Sequence, residues 1–323
     1  MQDQNQVDVL PFILGNPELK EVLLYAMCRY DEKNPKLTTP LIIIGRSGEG
    51  KTAVLENIGS IYPSKMFQKD GITEASLHDL KMSRMILCID ELSKWSINCL
   101  GAVVMLFSHG KTERARKGGQ TKIVANGLPV GTLLDTWENT VEDFKGIESK
   151  RFIIAQLLRR AIVLHAQPTT RDPVIHRQYI ESVVSDIFGL DDRSGIKIAT
   201  IKKNINTILL RAQKINYDIP DIPKAERDSI IDYMMKFQGK IEMDSLVSYD
   251  EEFPKLLSNL AVGRALSYGR RVVELADYQR VGTIIEVHAK ELGLWRERKT
   301  YPKGETTNDE PKGENKEDKT EVP

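Results

Sequence analysis

The feature that most constrains the fold of this chain is the stretch LIIIGRSGEGKTAVLENIG, which begins at Leu41. Four apolar residues run into a glycine-rich turn, a Lys-Thr pair follows, and a helical pattern comes next. The residues that fit the spacing G-x-x-x-x-G-K-[ST] are Gly45, Gly50, Lys51 and Thr52. Glycines let the backbone curl so that several N–H groups point at phosphate oxygens, and the N-terminus of the helix adds partial positive charge. The stretch therefore predicts a phosphate-binding loop, and we call residues 45–52 the cradle loop.

Each polar residue of the cradle loop has a predicted task. Lys51 supplies a mobile positive charge to the β- and γ-phosphates, and the hydroxyl of Thr52 is a ligand for Mg²⁺. The predicted contact set for the nucleotide is Gly45, Ser47, Gly48, Glu49, Gly50, Lys51, Thr52, Ala53 and Asp90. A glycine turn with an incidental lysine is the alternative, and the order of strand, loop and helix argues against it.

A second apolar run, MILCID, ends in adjacent carboxylates at Asp90 and Glu91. In a P-loop ATPase the first carboxylate holds Mg²⁺ through water, and the second polarises the attacking water as a general base. The alternative is that the pair caps the following helical segment, ELSKWSINCL. Beside a phosphate-binding loop we favour the catalytic interpretation, with Thr52 and Asp90 as the metal ligands. Lys51 and Glu91 are then predicted catalytic residues.

Four short apolar runs in the first half of the chain predict buried strands. LIIIG, MILCID, VGTLLDTW and AIVLHAQP begin at Leu41, Met85, Val130 and Ala161, and turns or polar helical segments bound each of them. Continuous apolar runs of this length are typical of strands that are covered on both faces. We therefore predict an α/β fold in which helices cover a parallel sheet.

The pattern changes from about Arg171 onwards. Long amphipathic segments, such as IATIKKNINTILLRAQKI and FPKLLSNLAVGRALSYG, predict a helical second domain. The last stretch, KTYPKGETTNDEPKGENKEDKTEVP, has no apolar cluster and cannot offset its ordering entropy by burial. The predicted organisation is an N-terminal extension over 1–8, an α/β ATPase core over 9–170, a helical domain over 171–298 and a disordered tail over 299–323.

Composition sets further expectations about partners and location. Lys and Arg together number 46, as do Asp and Glu, so any nucleic-acid contact needs a local basic patch. Three cysteines without ligand spacing predict reduced, buried thiols and a cytoplasmic protein. The sequence shows neither a signal peptide nor an apolar run of about 18 residues, so we expect no membrane contact. The five histidines are scattered, and we expect structural roles for them.

Around these motifs the chain resembles AAA+ ATPases, and among them the minichromosome maintenance (MCM) branch. The lead-in VLPFILGNPELKEVLLYAM is similar to the segment that precedes the family's P-loop, and ILCIDELSKW is similar to its Walker B pattern. LLSNLAVGRALSYGRRVVELADYQRVGTII resembles the helical lid, so the similarity spans about Val9 to Leu294. The resemblance implies a P-loop AAA+ core followed by a helical lid domain, ATP and Mg²⁺ as cofactors, and a homo-oligomeric ring.

The resemblance also implies roles for Asn139 and Arg160. The stretch GTLLDTWENT lies where the family has a strand that ends in the sensor-1 Asn, so Asn139 would position the hydrolytic water. AQLLRRAIVLHAQPTTRD resembles the region of the arginine finger, so Arg160, with Arg159 next, would reach the γ-phosphate on a neighbouring subunit. The alternatives are a cap after a strand for Asn139 and a surface arginine for Arg160. The position of the family's sensor-2 Arg falls near Glu252.

A basic stretch, SHGKTERARKGGQTKIVANGLP, lies between the Walker B run and the predicted sensor strand. Its Gly-Gly dipeptide suits a hairpin turn, and the resembling family has at this location a hairpin whose basic tip touches DNA. The predicted DNA-contacting residues are Lys111, Arg114, Arg116, Lys117 and Lys122. Five positive charges neutralise phosphates without reading sequence. A solvated basic loop or a contact between subunits is the alternative.

Three departures from the MCM pattern bear on function, and one is that no Arg can be placed at the family's sensor-2 position near Glu252. Only about eight residues precede the match, so we expect no N-terminal DNA-binding module, and YPSKMFQKDGITEASLHDLKMSR is too short for the family's helix-2 insertion. The leading hypothesis is an ATP-hydrolysing ring that acts on DNA as a helicase or translocase, in a process related to replication. The alternative is a nucleotide-gated loader or adaptor that recruits a protein partner to DNA.

Overall fold

The computed structural model describes residues 13, 15–31, 34, 37–67, 82–109, 114–116, 119–121, 125–134, 147–187, 195–216, 222–242 and 249–296. The strands are β1 (Leu41–Gly45), β2 (Ser64–Phe67), β3 (Met82–Ile89), β4 (Arg114–Arg116), β5 (Gly119–Thr121), β6 (Ala125–Leu134) and β7 (Ile162–His165). The helices are α1 (Pro17–Arg29), α2 (Lys51–Ile61), α3 (Ile97–His109), α4 (Glu148–Arg159), α5 (Pro173–Ile187), α6 (Gly195–Asn216), α7 (Arg227–Met235), α8 (Phe253–Ser267) and α9 (Leu275–Glu291).

Five of the strands form one parallel sheet in the order β2-β3-β6-β1-β7. The four strands that were predicted from apolar runs are confirmed. The edge strand β2 was not predicted, because its sequence, SKMF, has no continuous apolar run. All five residues of β1 are buried, as expected for a central strand covered by helices. The α/β class is therefore confirmed.

The carboxyl ends of the sheet strands meet at one edge, because parallel strands all run in the same direction. Ile44 of β1 pairs with His165 at the end of β7, and the next residue, Gly45, pairs with Leu134 at the end of β6. Ile89, the last residue of β3, pairs with Gly131 of β6. This edge therefore brings the start of the cradle loop, the end of β7 and the residues after β3 together.

Two of the helices that follow β7 pack against earlier elements of the chain. α8 packs along α1, and α9 packs against β7. The hydroxyl of Tyr249, just before α8, donates a hydrogen bond to the carbonyl oxygen of Ala161 at 2.9 Å. One apolar cluster contains buried residues from the strands and from α8 and α9. The core is thus continuous across the predicted boundary at 170, and the division into two domains stays a prediction.

A buried carboxylate anchors the first turn of α9. Asp277 is fully buried, and its oxygens accept hydrogen bonds from the guanidinium groups of Arg264, at 2.5 Å, and Arg270, at 2.5 and 3.0 Å. It also accepts from the backbone N–H of Glu274 at 2.9 Å, as one half of a capping box. A buried charge needs partners of this kind, so α9 is held at its start against the end of α8.

Three further predictions, on membrane spans, on the cysteines and on the two ends of the chain, can be compared with the structure. No helix within the described ranges is long and apolar enough to cross a membrane. The prediction of buried thiols is confirmed for Cys28, Cys88 and Cys99, which are free, and burial raises the pKa of Cys28 and of Cys88 to about 12. The predicted extension over 1–8 and the predicted tail over 299–323 lie outside the described residues.

A glycine at the contact of α1 and α8 tests this packing. A Cβ at Gly263 would lie 2.1 Å from the carbonyl oxygen of Tyr25, so Gly263→Ala forces the two helices apart. We expect the free energy of unfolding in urea to fall by about 1–3 kcal/mol. Gly101→Ala on the exposed side of α3 is the control, because a Cβ there meets nothing within 4 Å. Equal stability of the two variants would contradict the close contact.

Candidate functional site

The cradle loop lies between the carboxyl end of β1 and the start of α2, so the predicted order of strand, loop and helix is confirmed. Gly48 and Gly50 have φ of 84° and 81°, a region that L side chains rarely adopt. A Cβ on either glycine would meet nothing within 4 Å. The loop therefore needs these glycines for backbone conformation. No side-chain hydrogen bond caps α2 at Gly50, and this end of a helix attracts anions.

Lys51 is buried at the start of α2 and reaches back across the cradle loop. Its Nζ donates hydrogen bonds to the carbonyl oxygens of Gly45, at 2.5 Å, and of Arg46, at 2.7 Å. These acceptors are neutral, and the charged oxygens of a phosphate are stronger acceptors for an ammonium group. An anion in the loop would therefore compete with the two carbonyl groups for this lysine.

Thr52 and Asp90, which are 38 positions apart in the chain, lie side by side next to the loop. The Thr52 hydroxyl donates to Oδ2 of Asp90 at 3.3 Å. From the other side, the Thr132 hydroxyl donates to Oδ1 at 2.6 Å and accepts from the backbone N–H of Glu91 at 2.8 Å. Thr132 is fully buried in β6. It was missed in the sequence because it lies within an apolar run, but it holds the Asp90 carboxylate in place.

Glu91 has a left-handed backbone with φ of 46°. Such a conformation is uncommon outside glycine and has to be stabilised by its surroundings. Here the hydrogen bond to Thr132 and a bond from the Trp95 indole N–H to the Asp90 carbonyl oxygen, at 2.9 Å, hold the turn. The Glu91 carboxylate is partly exposed and pairs with Lys94. A strained backbone at the second carboxylate supports a functional interpretation of this turn.

The oxygen donors beside the cradle loop fit a magnesium ion that is shared with a bound phosphate. Mg²⁺ prefers octahedral oxygen coordination and usually takes one or two protein ligands, with water and substrate phosphate completing the shell. Thr52 and Asp90 offer that number of donors at one place. In the part of the chain that the structure describes, no cluster of three or more His, Cys, Asp or Glu side chains could hold a metal.

A third carboxylate of the site, Glu49, turns towards β7. Its Oε2 accepts a hydrogen bond from the backbone N–H of Arg46 at 2.5 Å and lies 3.8 Å from Nε2 of His165. A Cβ on Gly45 would meet the same oxygen at 2.8 Å. The other ring nitrogen of His165 lies 3.0 Å from Oε2 of Glu291 on α9. Sequence spacing did not indicate this contact, because His165 and Glu291 are 126 positions apart.

The predicted arginine finger lies at the opposite edge of the sheet from the cradle loop. Arg160 follows α4 and precedes β7, so it is at the amino end of that strand. Its Nη1 donates to the carbonyl oxygen of Gln156 at 2.8 Å and contacts the side-chain amide of the same residue. Burial and the charge of Arg159 lower the pKa of Arg160. Arg159 lies 3.4 Å from a carboxylate oxygen of Glu251. The finger role stays a prediction.

The predicted basic hairpin forms a two-stranded antiparallel ribbon. β4 pairs with β5, with Arg114 opposite Thr121 and Arg116 opposite Gly119. The antiparallel pairing is therefore confirmed, and DNA contact stays a prediction. The predicted site residues that lie outside the described ranges are Lys111, Lys117, Lys122 and Asn139.

No family model matches the chain, and no curated protein matches its sequence. The function has to be inferred from the site itself. Its parts are a loop with two left-handed glycines, a buried lysine and a hydroxyl–carboxylate pair, all at the carboxyl edge of a parallel sheet.

Thr132→Val tests whether the hydroxyl holds the ends of β3 and β6 together. Valine has a similar shape, but it leaves the Asp90 carboxylate and the Glu91 N–H without this partner. We expect the free energy of unfolding in urea to fall by about 1–3 kcal/mol, because the carboxylate loses a hydrogen bond and the Glu91 N–H keeps only its 3.1 Å contact with Oδ1 of Asp90. Thr132→Ser keeps the hydroxyl and is the control, with a smaller loss. If serine destabilises as much as valine, the methyl group and not the hydroxyl is responsible.

Proposed function

We propose that the protein is an ATP-hydrolysing enzyme of the AAA+ class, similar to the MCM branch, that assembles as a ring and acts on DNA. The single observation that carries the ATPase part is the contact of Thr52 with Asp90 beside a loop with two left-handed glycines. A hydroxyl and a carboxylate meet where Mg²⁺ has to link the enzyme to the phosphates. α/β proteins bind ligands at the carboxyl edge of the sheet, and this pair lies there.

In this mechanism, Lys51 leaves two loop carbonyl groups and binds phosphate oxygens. Thr52 and Asp90 would hold Mg²⁺, which would supply positive charge to offset the charge that develops on the phosphates. Glu91 accepts a proton from the attacking water, and its carboxylate has to leave Lys94 to do so. The hydrogen bonds of Thr132 hold the Asp90 carboxylate beside Thr52 and hold the backbone of Glu91 in its turn.

Two substitutions separate nucleotide binding from hydrolysis. Lys51→Ala should weaken binding of Mg²⁺–ATP and lower turnover by about 10²-fold or more, as expected when a transition-state contact is lost. Glu91→Gln should retain binding and lower turnover by about 10²- to 10⁴-fold, because the general base is lost. Phosphate release and calorimetry measure the two effects.

Lys65→Ala on β2 is the control for these variants, because Lys65 is an exposed lysine away from the loop. It should behave as the wild type does. Undiminished turnover by the Lys51→Ala protein would contradict the proposed site.

The ring and DNA parts of the proposal have separate support. Arg160 lies away from the cradle loop of its own chain, which favours a role towards a neighbouring subunit. The ribbon of β4 and β5 carries Arg114 and Arg116 in its first strand, and three lysines lie close by in sequence. Backbone phosphates attract such a local cluster even though the chain has no net charge.

DNA binding is tested at the ribbon. Arg114→Ala/Arg116→Ala should weaken binding of single-stranded DNA uniformly across sequences. It should also make the plot of log affinity against log salt less steep by about 0.7 for each lost phosphate contact. Fluorescence anisotropy at several salt concentrations measures both. Arg177→Ala/Arg227→Ala removes the same charge from exposed helical positions and is the matched control. Identical slopes for both double variants would contradict a ribbon contact.

The alternative is a loader or adaptor that binds ATP, hydrolyses it slowly and recruits a protein partner to DNA. The ion pair between Glu91 and Lys94 favours it, because the general base is engaged until some event releases it. The Glu91→Gln variant distinguishes the two. A motor should become trapped as a ring on DNA, whereas an adaptor should become locked onto its protein partner.

A further inference from the structure

The cradle loop contains a negative charge of its own, and the structure shows where that charge is held. A carboxylate near bound phosphates is repelled by them. The side chain of Glu49 is largely buried; its Oε2 accepts a hydrogen bond from the Arg46 N–H and lies 3.8 Å from Nε2 of His165. These two contacts direct it at the end of β7. We call Glu49, His165 and Glu291 the bridge.

The far end of the bridge is well anchored. Oε1 of Glu291 accepts from Nη1 of Arg171 at 2.9 Å, and the side-chain amide of Gln167 lies 3.1 and 3.2 Å from the two carboxylate oxygens. Burial alone would raise the pKa of Glu291, but the hydrogen bonds with His165 and Gln167 outweigh it and lower the pKa. Glu291 is therefore held as a carboxylate at the end of α9.

A second histidine fastens the same turn of α9 to the sheet. The backbone N–H of His165 donates to Nδ1 of His288 at 3.0 Å. Burial lowers the pKa of His288 to about 4, so the ring is neutral at neutral pH and accepts this bond. β7 is an edge strand of the sheet, and His288 on α9 is the acceptor for the backbone N–H of His165 in that strand. The last turn of α9 thus contacts the backbone of β7 through His288, and it reaches the cradle loop through the bridge.

We propose that His165 and Glu291 are positioning residues for the cradle loop, and that the bridge couples phosphate binding in that loop to the docking of the last turn of α9 on β7. The proposal rests on the ATP-binding function proposed above. Phosphates that enter the loop repel the Glu49 carboxylate towards His165, and this strengthens the bridge. By thermodynamic linkage, breaking the bridge weakens nucleotide binding by the same factor by which the nucleotide strengthens the bridge.

The groups that face His165 come from two elements and are all part of the coupling. Glu49 faces it from the cradle loop, Glu291 and His288 face it from α9, and Arg171 acts on it through Glu291. The three bridge residues are well separated in the chain, so each can be replaced singly.

The test uses calorimetry to measure the Kd of the Mg²⁺ complex of a slowly hydrolysed ATP analogue. The Kd is compared between the wild type and each variant. His165→Gln and Glu291→Gln should each raise Kd by about 5- to 20-fold, within the usual range of coupling between sites. Glu49→Gln removes the repelled charge, so adding His165→Gln to it should change Kd by less than about 2-fold, a non-additivity expected only for residues that act through one another. His176→Gln is the matched control on α5 and should bind as the wild type does.

Hydrogen exchange gives a readout that a merely structural role would not change. The nucleotide analogue should protect the amides of residues 286–292 in the wild type and should leave them unchanged in the His165→Gln protein. Glu291 lies at the surface end of the contact, so Glu291→Gln tests the bridge even if His165→Gln disturbs β7.

The outcomes separate the two proposals. If the wild type binds the analogue, Lys51→Ala does not, and the bridge variants bind within about 2-fold of the wild type without loss of the protection, the bridge proposal is wrong and the ATP-binding proposal stands. If the wild type does not bind the analogue, both are wrong. Additive effects of Glu49→Gln and His165→Gln would also overturn the bridge, because the two residues would then act independently.

Discussion

The hydroxyl of Thr132 joins the parts of the candidate site that have to act together. It donates to the Asp90 carboxylate and accepts from the backbone N–H of Glu91, so one buried side chain on β6 contacts both residues at the end of β3. The strained backbone of Glu91 is tolerated because this contact and the Trp95 indole hold the turn. Without the hydroxyl, the Asp90 carboxylate would lose its 2.6 Å hydrogen bond, and the turn at Glu91 would lose its hydrogen bond to β6.

The parallel sheet explains why residues so far apart in the chain meet. All five strands of the sheet end at the same edge, and the residues at or just after the ends of β1, β3, β6 and β7 are Gly45, Asp90, Leu134 and His165. A loop with left-handed glycines at this edge turns the backbone towards the helix that follows. A ligand bound there would contact residues from several stretches that are far apart in the sequence, which is the usual arrangement in α/β proteins.

The contiguous parts of this arrangement were predictable from sequence. The cradle loop is defined by spacing within eight residues, and Asp90 and Glu91 follow an apolar run whose end marks the strand end. Thr132 was not predictable, because a threonine inside a buried strand carries no signal of its own until the register against β3 is known. His165 and Glu291 meet only because α9 packs on β7. Their histidine–carboxylate contact depends on tertiary packing that spacing along the chain does not encode.

The carboxylates of Asp90 and Glu49 both lie beside the proposed anion site, and their surroundings differ. Asp90 accepts hydrogen bonds from two hydroxyl groups and lies beside Thr52, where a cation would offset its negative charge. Glu49 accepts a hydrogen bond from the Arg46 N–H at the start of the loop, and the same carboxylate oxygen lies 3.8 Å from the imidazole of His165 on β7. One carboxylate is therefore placed where a cation would offset its charge, and the other lies next to His165, which in turn contacts Glu291 on α9. If phosphates do enter the loop, they act on both carboxylates at once, so metal binding and helix docking respond to a single event.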